Sequence, residues 1–312
     1  MPSPRLKTVA VRPNQAGEWA GGRSLNLTPL PSYANVSALR AHPWNSDFAW
    51  KRSDIAPTRL SDDQLDQFHN EGWIVVEDLI DPATLAQVRD ELDVIEQSYD
   101  ELLKTVPDER MFIAESGAIV FAPHAVKQSE AARNVSRHPA IAEICRDLVG
   151  LNVRLYWDQI VYKKPEKPRR FPWHQDNGYT FVEPQQYLTI WLALTDATVD
   201  AGCPWVVPGV HCGGTLAHTY IDPLGYECFE DHPDAVPAPV VAGGAVIFSS
   251  LTPHMTGPNT TGSVRKTYIL QYAPDGAEML EGDPAAGPPT SRVLQNDPDR
   301  QYVTVSDGVP SS

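Results

Sequence analysis

Two short stretches decide the fold: FPWHQD at residues 171–176 and PHMTGP at residues 253–258. In an extended backbone, side chains two residues apart point to the same face, with Cα atoms about 6–7 Å apart. His174 and Asp176 have this spacing and can converge on one metal ion, and His254 would add a third ligand. Two histidines and one carboxylate form the facial triad that suits non-haem Fe(II) and leaves coordination positions open.

An arginine follows the second stretch at a position that suits a co-substrate. Arg265 lies eleven residues after His254, beyond the turn-rich segment 257–262 and at the start of the strand-like run 265–272. On a strand beside a metal ligand, its guanidinium could hold the distant carboxylate of a metal-chelating co-substrate in a bidentate pair. The alternatives are an exposed strand residue or the partner of a surface carboxylate.

At these residues the sequence resembles the phytanoyl-CoA dioxygenase family of Fe(II)/2-oxoglutarate oxygenases. The resemblance covers roughly residues 60–275. It rests on WHQD at 173–176, WLALTD at 191–196, GCPWVVPGVH at 202–211, and His254 with Arg265. It implies an α+β protein whose core is a double-stranded β-helix (a cupin-like jelly roll), with N-terminal helices packed on that core.

The resemblance implies a reaction as well as a set of cofactors. His174, Asp176 and His254 would be the catalytic ligands of Fe(II), with 2-oxoglutarate and O2 as co-substrates. Related iron halogenases have a small residue where Asp176 stands. The carboxylate therefore favours hydroxylation of an unactivated C–H bond, with release of succinate and CO2, although desaturation, ring closure or epimerisation would use the same residues. Two other classes stay open: a metal-dependent enzyme of this fold that does not use 2-oxoglutarate, and a catalytically silent binding protein.

The family pattern also implies further contacts to the co-substrate. Arg265 matches the family's 2-oxoglutarate arginine by its offset from His254. Thr256 stands where relatives carry a hydroxyl residue that touches the same carboxylate, although a turn threonine would instead bond its own backbone. Trp191 is similar to the tryptophan that lines the co-substrate pocket in relatives, a role that is compatible with a core position.

A strand-like run at residues 157–163 matches the strand that runs beside the metal site in relatives. Two of its residues, Gln159 and Tyr162, are therefore candidate co-substrate contacts. Gln159 shares a strand face with Trp157, whereas Tyr162 falls on the other face unless a bulge intervenes.

The candidate substrate contacts surround the metal motif. We predict six of them: Trp157, Trp173, Asn177, Tyr179, Arg170 and Trp205. The tryptophans would supply apolar walls. Arg170 ends a basic segment, residues 163–170, with five positive charges in a chain whose net charge is −15. A solvated loop is the default interpretation of such a segment. The alternative is that it attracts an anionic small-molecule substrate, such as a carboxylate or a CoA thioester.

The bulk composition excludes several partners. A chain of 312 residues is long enough for a sizeable core, and its net charge of −15 argues against nucleic acid or an anionic membrane as a partner. The four cysteines show no CxxC or zinc-type spacing, which indicates reduced thiols. No apolar leader and no stretch of about 18 apolar residues is present. We therefore expect a cytoplasmic protein that acts on a small molecule, with no signal for an oligomeric state.

Helices precede strands along the chain. The Ser-x-x-Gln pattern at 61–64 is a capping box that begins a short helix. Asp81-Pro82 begins a long amphipathic helix, and His138-Pro139 begins another. Helices followed by short strands indicate an α+β domain with a jelly roll. The strand-like runs are 153–162, 187–195, 203–207, 239–248 and 266–273.

Composition divides the chain into three predicted parts. Residues 1–58 are rich in Pro, Gly, Asn and Ser and form an irregular N-terminal arm. Residues 59–280 form a single catalytic oxygenase domain, with helical support at 59–150 and the β-helix core at 151–275. Residues 281–312, with several prolines, form an extended and loosely attached C-terminal tail.

Overall fold

The structure is a computed structural model, and it describes residues 39–165 and 171–311. Residues 1–38 of the predicted arm and part of the basic segment lie outside the described residues. The described helices are α1 (Asp62–Glu71), α2 (Pro82–Leu103), α3 (Glu130–Ser136) and α4 (Pro139–Leu148). The first nine strands are β1 (Trp73–Val76), β2 (Arg110–Met111), β3 (Ala114–Glu115), β4 (Ile119–Pro123), β5 (Val153–Lys163), β6 (Val182–Glu183), β7 (Leu188–Ala193), β8 (Pro204–Val206) and β9 (Thr219–Ile221). The remaining described strands are β10 (Gly225–Glu227), β11 (Val236–Pro237), β12 (Ala245–Ser249), β13 (His254–Thr256), β14 (Arg265–Pro274), β15 (Glu278–Glu281), β16 (Ser291–Leu294), β17 (Val303–Ser306) and β18 (Val309–Pro310).

The first two helices begin where the sequence predicts. The Ser61 side chain accepts a hydrogen bond from the backbone N–H of Gln64, and the Gln64 side chain accepts one from the Ser61 N–H. At the start of α2, the Asp81 carboxylate accepts hydrogen bonds from the backbone N–H groups of Ala83 and Thr84. These bonds satisfy donors that the first turn of a helix leaves without partners.

Eight strands form the main sheet in the order β1-β12-β7-β14-β5-β4-β3-β2, and β17 and β18 extend from β5. Helices α2, α3 and α4 cover the outer face of this sheet. Leu92 of α2 and Ile141 of α4 belong to the same apolar cluster as Ile160 of β5. Every residue of β7 is buried, because both faces of that strand are covered.

A smaller sheet, in the order β11-β8-β13, faces the main sheet. An isolated backbone bridge joins His174 to His254 of β13, and a second bridge joins Trp173 to Phe229. The centroid of the His254 ring lies 4.4 Å from that of Phe248 on β12. Helices that precede two facing antiparallel sheets are the α+β, jelly-roll arrangement that the sequence predicts.

Cross-strand register determines which side chains of the main sheet point between the two sheets. Thr189 of β7 pairs with Phe248 of β12 and Gln271 of β14, and Gln271 pairs with Trp157 of β5. Paired residues on adjacent strands share a face, so these four side chains form one inward-facing row. A second inward-facing row consists of Val246, Trp191, Ile269 and Gln159.

A β-bulge in β5 lies at Tyr156, and no bulge lies between Trp157 and Tyr162. The register between β5 and β14 shifts there, and Tyr156 has no partner on β14. Alternation is regular from Trp157 onward, so Tyr162 points to the outer face. Its hydroxyl donates to the Asp93 carboxylate of α2 at 2.7 Å. The predicted co-substrate contact of Tyr162 is therefore corrected: this side chain joins the sheet to a helix.

The C-terminal segment that the sequence predicts to be a loose tail is instead part of the fold. Strand β15 pairs with β6 and β16, and β17 pairs with the start of β5. The buried Gln301 side chain donates to the carbonyl of the bulged residue Tyr156 at 3.1 Å. Pro284, Pro288, Pro289 and Pro298, which suggested an extension, lie in the connections between these strands.

Residues 39–58 of the predicted arm lie against the rest of the fold. The Trp44 indole donates to the carbonyl of Gly287 at 2.7 Å. The Trp50 ring packs edge-on against the buried His211 ring, with the centroids 4.4 Å apart. These aromatic side chains attach an otherwise irregular segment, which explains why apolar residues interrupt its polar composition.

The cysteine side chains form no disulfide bond. All four are free: Cys145 and Cys203 are buried, and Cys212 and Cys228 are partly buried. Among the helices of the described chain, none is long and apolar enough to cross a membrane.

The buried carboxylate of Asp158 provides a test of how β5 is joined to β14 and to the segment that precedes α3. This fully buried carboxylate of β5 accepts hydrogen bonds from the Val126 N–H and the Tyr268 hydroxyl, yet burial raises its pKa to about 6. The unfolded chain ionises at a lower pH, so wild-type stability should fall by about 3 kcal/mol as the pH rises from about 4 to 7. Urea unfolding of Asp158→Asn across this range should lack that loss.

Asp100→Asn is the matched control, because its carboxylate shifts in the opposite direction. Burial acts to raise the pKa of Asp100, but the Gly117 N–H and the Lys164 ammonium outweigh it and the pKa is lowered. Wild type therefore gains stability at this residue as the pH rises from the lowered folded pKa to the unfolded pKa of about 4, and it keeps that gain at higher pH. Relative to wild type, Asp158→Asn should gain stability between about pH 4 and 7, whereas Asp100→Asn should lose stability as the pH rises toward about 4 and then stay level. The same slope for both variants would contradict the assignment.

Candidate metal centre and co-substrate pocket

The three side chains predicted as metal ligands lie together between the sheets. A ring nitrogen of His174, a ring nitrogen of His254 and a carboxylate oxygen of Asp176 all lie within 4.8 Å of one another. The two histidines meet because their backbones exchange hydrogen bonds: the His174 N–H donates to the His254 carbonyl at 3.0 Å, and the reverse bond is 2.8 Å. Two imidazoles and one carboxylate are a donor set that fits Fe(II).

Backbone carbonyls fix the tautomer of both imidazoles. The Nδ1 atom of His174 lies 3.0 Å from the Pro172 carbonyl, and that of His254 lies 3.0 Å from the Thr252 carbonyl. A carbonyl can only accept, so each Nδ1 carries the proton and each Nε2 presents a lone pair. This arrangement is typical of metal-binding histidines, whose second ring nitrogen is held by a neighbouring acceptor.

The burial of His174 favours the form that binds a metal. Burial lowers the pKa of His174 well below its usual value, and the neighbouring His254 acts in the same direction, against the Pro172 carbonyl. The imidazole is therefore neutral at physiological pH. A metal ion requires this deprotonated form, so no proton has to be displaced at His174 when an ion binds.

One oxygen of Asp176 is held by the main sheet and the other faces the histidines. The Thr189 hydroxyl donates to Asp176 Oδ2 at 2.5 Å. Asp176 Oδ1 lies 3.7 Å from the Nε2 atom of His254. Thr189 is 1% exposed and belongs to the first inward-facing row, so β7 orients the carboxylate and leaves Oδ1 as the donor atom.

Gln175, between the two ligands of the first motif, holds that motif in place. Its fully buried side chain donates to the carbonyls of Gly214 at 3.1 Å and Leu251 at 2.5 Å. Its carbonyl oxygen accepts from the Leu216 N–H at 2.6 Å. The side chain thus joins the first motif to the loop at 214–216 and to the segment just before the second motif.

The proposed co-substrate arginine lies at the start of β14 and is 1% exposed. Its guanidinium lies over the Trp191 ring, 5.0 Å from the centroid, and donates to the Thr267 hydroxyl at 3.1 Å. Trp191 belongs to the second inward-facing row, next to the row of Thr189. Arg265 and Trp191 are therefore brought together on the inward-facing side of the main sheet.

Thr256, Gln159 and Trp157 lie where they could contact a co-substrate or substrate. Thr256 follows His254 by two residues on β13 and so shares its face. Gln159 accepts a hydrogen bond from the Trp157 indole at 3.2 Å, and both side chains point between the sheets. Their roles stay predictions.

Tyr179 lies at the rim of the site. Its ring packs edge-on against the His174 ring, with the centroids 5.1 Å apart, and against Tyr226 at 5.3 Å. The side chain is 46% exposed, so a bound molecule can reach it. A substrate contact of Tyr179 stays a prediction that this position supports.

The two tryptophans predicted as substrate walls differ in their surroundings. Trp173 is 3% exposed and packs with Val207 and Leu216 in a separate apolar cluster, on the opposite side of the extended segment from its neighbour His174. This finding replaces the predicted substrate contact of Trp173 with a core role. Trp205 is partly buried between that cluster and the cluster that contains Trp191, and its contact with substrate stays a prediction.

Asn177 is also a structural residue and not the substrate contact that the sequence predicts. It is 1% exposed, donates to the Thr215 hydroxyl at 2.7 Å and accepts from the Val182 N–H at 2.9 Å. Both ends of the amide are therefore used inside the protein. The remaining predicted contact, Arg170, lies outside the described residues.

Thr189 and Gln175 were missed by the sequence reasoning. Thr189 had a detectable signal, because it is a polar residue in the apolar run 187–195 and precedes Trp191 by two residues, on the same face. Gln175 stands inside the metal motif, but the sequence alone does not reveal that its amide reaches two distant loops.

Comparison with known proteins gives one family and several similar chains. The family model for phytanoyl-CoA dioxygenase (PhyH) matches residues 68–267. Phytanoyl-CoA dioxygenase domain-containing protein 1 of Danio rerio is 26% identical over 259 residues, which are 68% of this chain and 89% of that protein.

Two solved structures share the fold. The non-haem alpha ketoglutarate-dependent carbocyclase SnoK from nogalamycin biosynthesis has a TM-score of 0.62 and 23% identity, over 80% of this chain and 99% of its own. The epimerase SnoN, in complex with Fe3+, alpha ketoglutarate and nogalamycin RO, has a TM-score of 0.57 and 22% identity, over 76% of this chain and 96% of its own.

Thr189→Val tests whether the hydroxyl on Asp176 orients the carboxylate for a metal. The change keeps the shape of a buried β-branched side chain and removes one hydrogen bond. Loss of such a supporting bond should weaken Fe(II) binding about 10-fold or more. Anaerobic Fe(II) titration with a competing chelator measures the affinity.

Thr304→Val is the control, since Thr304 is a fully buried threonine of β17 that donates to the Val153 carbonyl. Both variants lose a buried hydroxyl bond in the main sheet, but only Thr189 touches a candidate ligand. Equal loss of Fe(II) affinity in the two variants would refute the specific role of Thr189.

Proposed function

Because the chain belongs to the phytanoyl-CoA dioxygenase family, we propose that His174, Asp176 and His254 hold its iron and that it hydroxylates an unactivated C–H bond of a small organic substrate. As a member of this family it is a 2-oxoglutarate-dependent non-haem iron oxygenase, with 2-oxoglutarate and O2 as co-substrates. The family resemblance that the sequence predicts is confirmed by the match over residues 68–267.

The observation that carries the proposal is the convergence of three donors from two distant segments. One ring nitrogen of each histidine and one carboxylate oxygen of Asp176 lie within 4.8 Å of one another, and each side chain is oriented by a separate hydrogen bond. Such preorientation of a mixed imidazole and carboxylate set supports metal binding better than a chance cluster of polar groups would.

The chain's own residues hold the reactants and exclude other chemistry. The two histidines and Asp176 would bind Fe(II) from one side, which leaves the other side for co-substrate and substrate. When bound, Fe(II) supplies the activation of O2 that couples decarboxylation of 2-oxoglutarate to succinate and CO2 with transfer of an oxygen atom to the substrate. Asp176 fills the ligand position that a halide would need, which favours hydroxylation.

Arg265 would bind the distant carboxylate of 2-oxoglutarate. Its guanidinium is buried, so a charge-assisted pair there is stronger than it would be in water. The Trp191 ring, whose centroid lies 5.0 Å from the guanidinium carbon, would line that end of the pocket. Thr256 and Gln159 are proposed to line the same pocket, nearer the metal.

The substrate would enter on the open side of the metal centre. Tyr179, Trp157 and Trp205 are the proposed contacts. An anionic substrate is proposed from the remaining charges of the basic segment, since Lys163 is buried and donates to the Gly257 carbonyl and Lys164 pairs with Glu96 and Asp100. We also propose that the segment predicted as the catalytic domain, residues 59–280, acts as one domain together with the C-terminal strands β16, β17 and β18.

An anaerobic titration with Fe(II) and 2-oxoglutarate tests the assignment. Wild type should develop the visible metal-to-ligand charge-transfer band of chelated 2-oxoglutarate. His174→Ala should lose the band, because one of three ligands is missing. Arg265→Lys keeps the positive charge but loses the paired N–H donors of the guanidinium. This variant and Arg265→Ala should both need at least about 30-fold more 2-oxoglutarate to develop the band.

Arg154→Lys is the control for the arginine variants. Arg154 is an ion-paired arginine of β5, and its Nε donates to Asp275 at 2.9 Å, away from the metal centre. This variant should show the wild-type band and the wild-type need for 2-oxoglutarate. Bound iron without any band in wild type would exclude chelation of 2-oxoglutarate at this site.

A further inference from the structure

A cavity of about 340 Å³ lies at the start of β5, and of its lining residues only Trp157 enters the proposal above. One part of the cavity is lined by Tyr156, Trp157, Thr180 and Met279. The C-terminal wall, defined here as residues 293–301, lines the rest. Its volume falls within the range of small-molecule sites.

The cavity adjoins the proposed metal centre. Trp157 belongs to the same inward-facing row as Thr189, the residue that donates to Asp176. Thr180, which lines the cavity, directly follows Tyr179 in the chain, and the Tyr179 ring packs edge-on against the His174 ring with the centroids 5.1 Å apart. The cavity is therefore joined to the candidate metal ligands through two neighbouring segments.

Apolar side chains are exposed along this cavity. Val293 and Leu294, on strand β16 of the C-terminal wall, are 38% and 47% exposed. Met279 of β15 and the indole of Trp157 are partly exposed nearby. Apolar surface left open at the edge of a cavity suits the apolar body of a ligand.

One cation, Arg300, lines the same cavity. Its Nε donates to the Asp297 carboxylate at 3.0 Å, and that carboxylate also accepts from the Asp299 N–H at 3.0 Å. Within the described parts of the chain, the guanidinium of Arg300 is ion-paired with Asp297 through Nε, and its two terminal nitrogens donate no hydrogen bond. A guanidinium held through Nε presents its terminal fork in the geometry that pairs with a carboxylate.

We propose that this cavity is the substrate site and that it takes an amphiphilic carboxylate, with the carboxylate on Arg300 and the apolar body against Trp157 and the C-terminal wall. The inference rests on the proposed function, because the neighbouring metal centre is what makes the ligand a substrate. In this orientation the carboxylate is held away from the metal, so the oxidised carbon lies in the apolar body. The same wall supplies both the charge and the apolar surface.

Calorimetric titration of the full-length protein with sodium decanoate and with decanamide tests the proposal. The two probes have the same apolar body and differ in charge. The samples are anaerobic and contain Fe(II) with saturating 2-oxoglutarate, which blocks Arg265 as a competing carboxylate site. Wild type should bind decanoate at least about tenfold more tightly than decanamide, the difference expected for one charge-assisted pair.

Arg300→Gln should remove this preference and leave decanamide binding unchanged, since the glutamine amide can still donate to Asp297. Unchanged decanamide binding also shows that the variant is folded. Arg292→Gln is the matched control: Arg292 lies on β16, pairs with Glu183 and Glu278, and is not part of the cavity lining. It should keep the wild-type preference.

A preference for decanoate that persists in Arg300→Gln, or its absence from wild type, would overturn the assignment of the anion to Arg300. Hexanoate that binds as tightly as decanoate would overturn the apolar part, because each buried methylene should add about fourfold. The charge-transfer band in the same samples reports the proposed function separately. A band without decanoate binding rejects only this inference, and no band rejects the function.

Discussion

The mutual backbone hydrogen bonds between His174 and His254 are the constraint on which the rest of the site depends. They join two motifs that lie 80 residues apart in the chain, and they place both imidazoles on one face of the smaller sheet. The Pro172 and Thr252 carbonyls can then orient the rings only because this backbone pair is fixed. Gln175 adds a second connection between the same segments.

The main sheet orients further residues of the site from one face, while its other face is covered by the helices. On β7, Thr189 and Trp191 point between the sheets, toward Asp176 and the guanidinium of Arg265. Alternate residues of the same strand, including Ile190, are buried against the helices. If β7 slipped by one residue against its neighbouring strands, the side chains that now point between the sheets would face the helices, and those that face the helices would point between the sheets. The packing of the helices therefore holds the register on which the orientation of Asp176 depends.

The C-terminal segment shows how a misread element can change the view of a site. Its prolines and polar residues are typical of a tail, and no local signal reveals that Gln301 satisfies the carbonyl of the bulged Tyr156. Strand pairing between distant segments carries no periodicity that a single sequence displays. The same segment supplies Arg300 and one wall of the cavity. A part of the chain that composition assigns to the periphery therefore lies next to the proposed chemistry.

The sequence by itself determined the metal-binding candidates, the arginine, the capped helices and the α+β class, because these depend on short spacings and on local backbone chemistry. Only the tertiary structure decided which neighbours face the site. Trp157 and Tyr162 lie on one strand, yet the former points inward and the latter bonds a helix. The position of the bulge and the packing on each face distinguish them, and both arise from contacts between residues far apart in the chain.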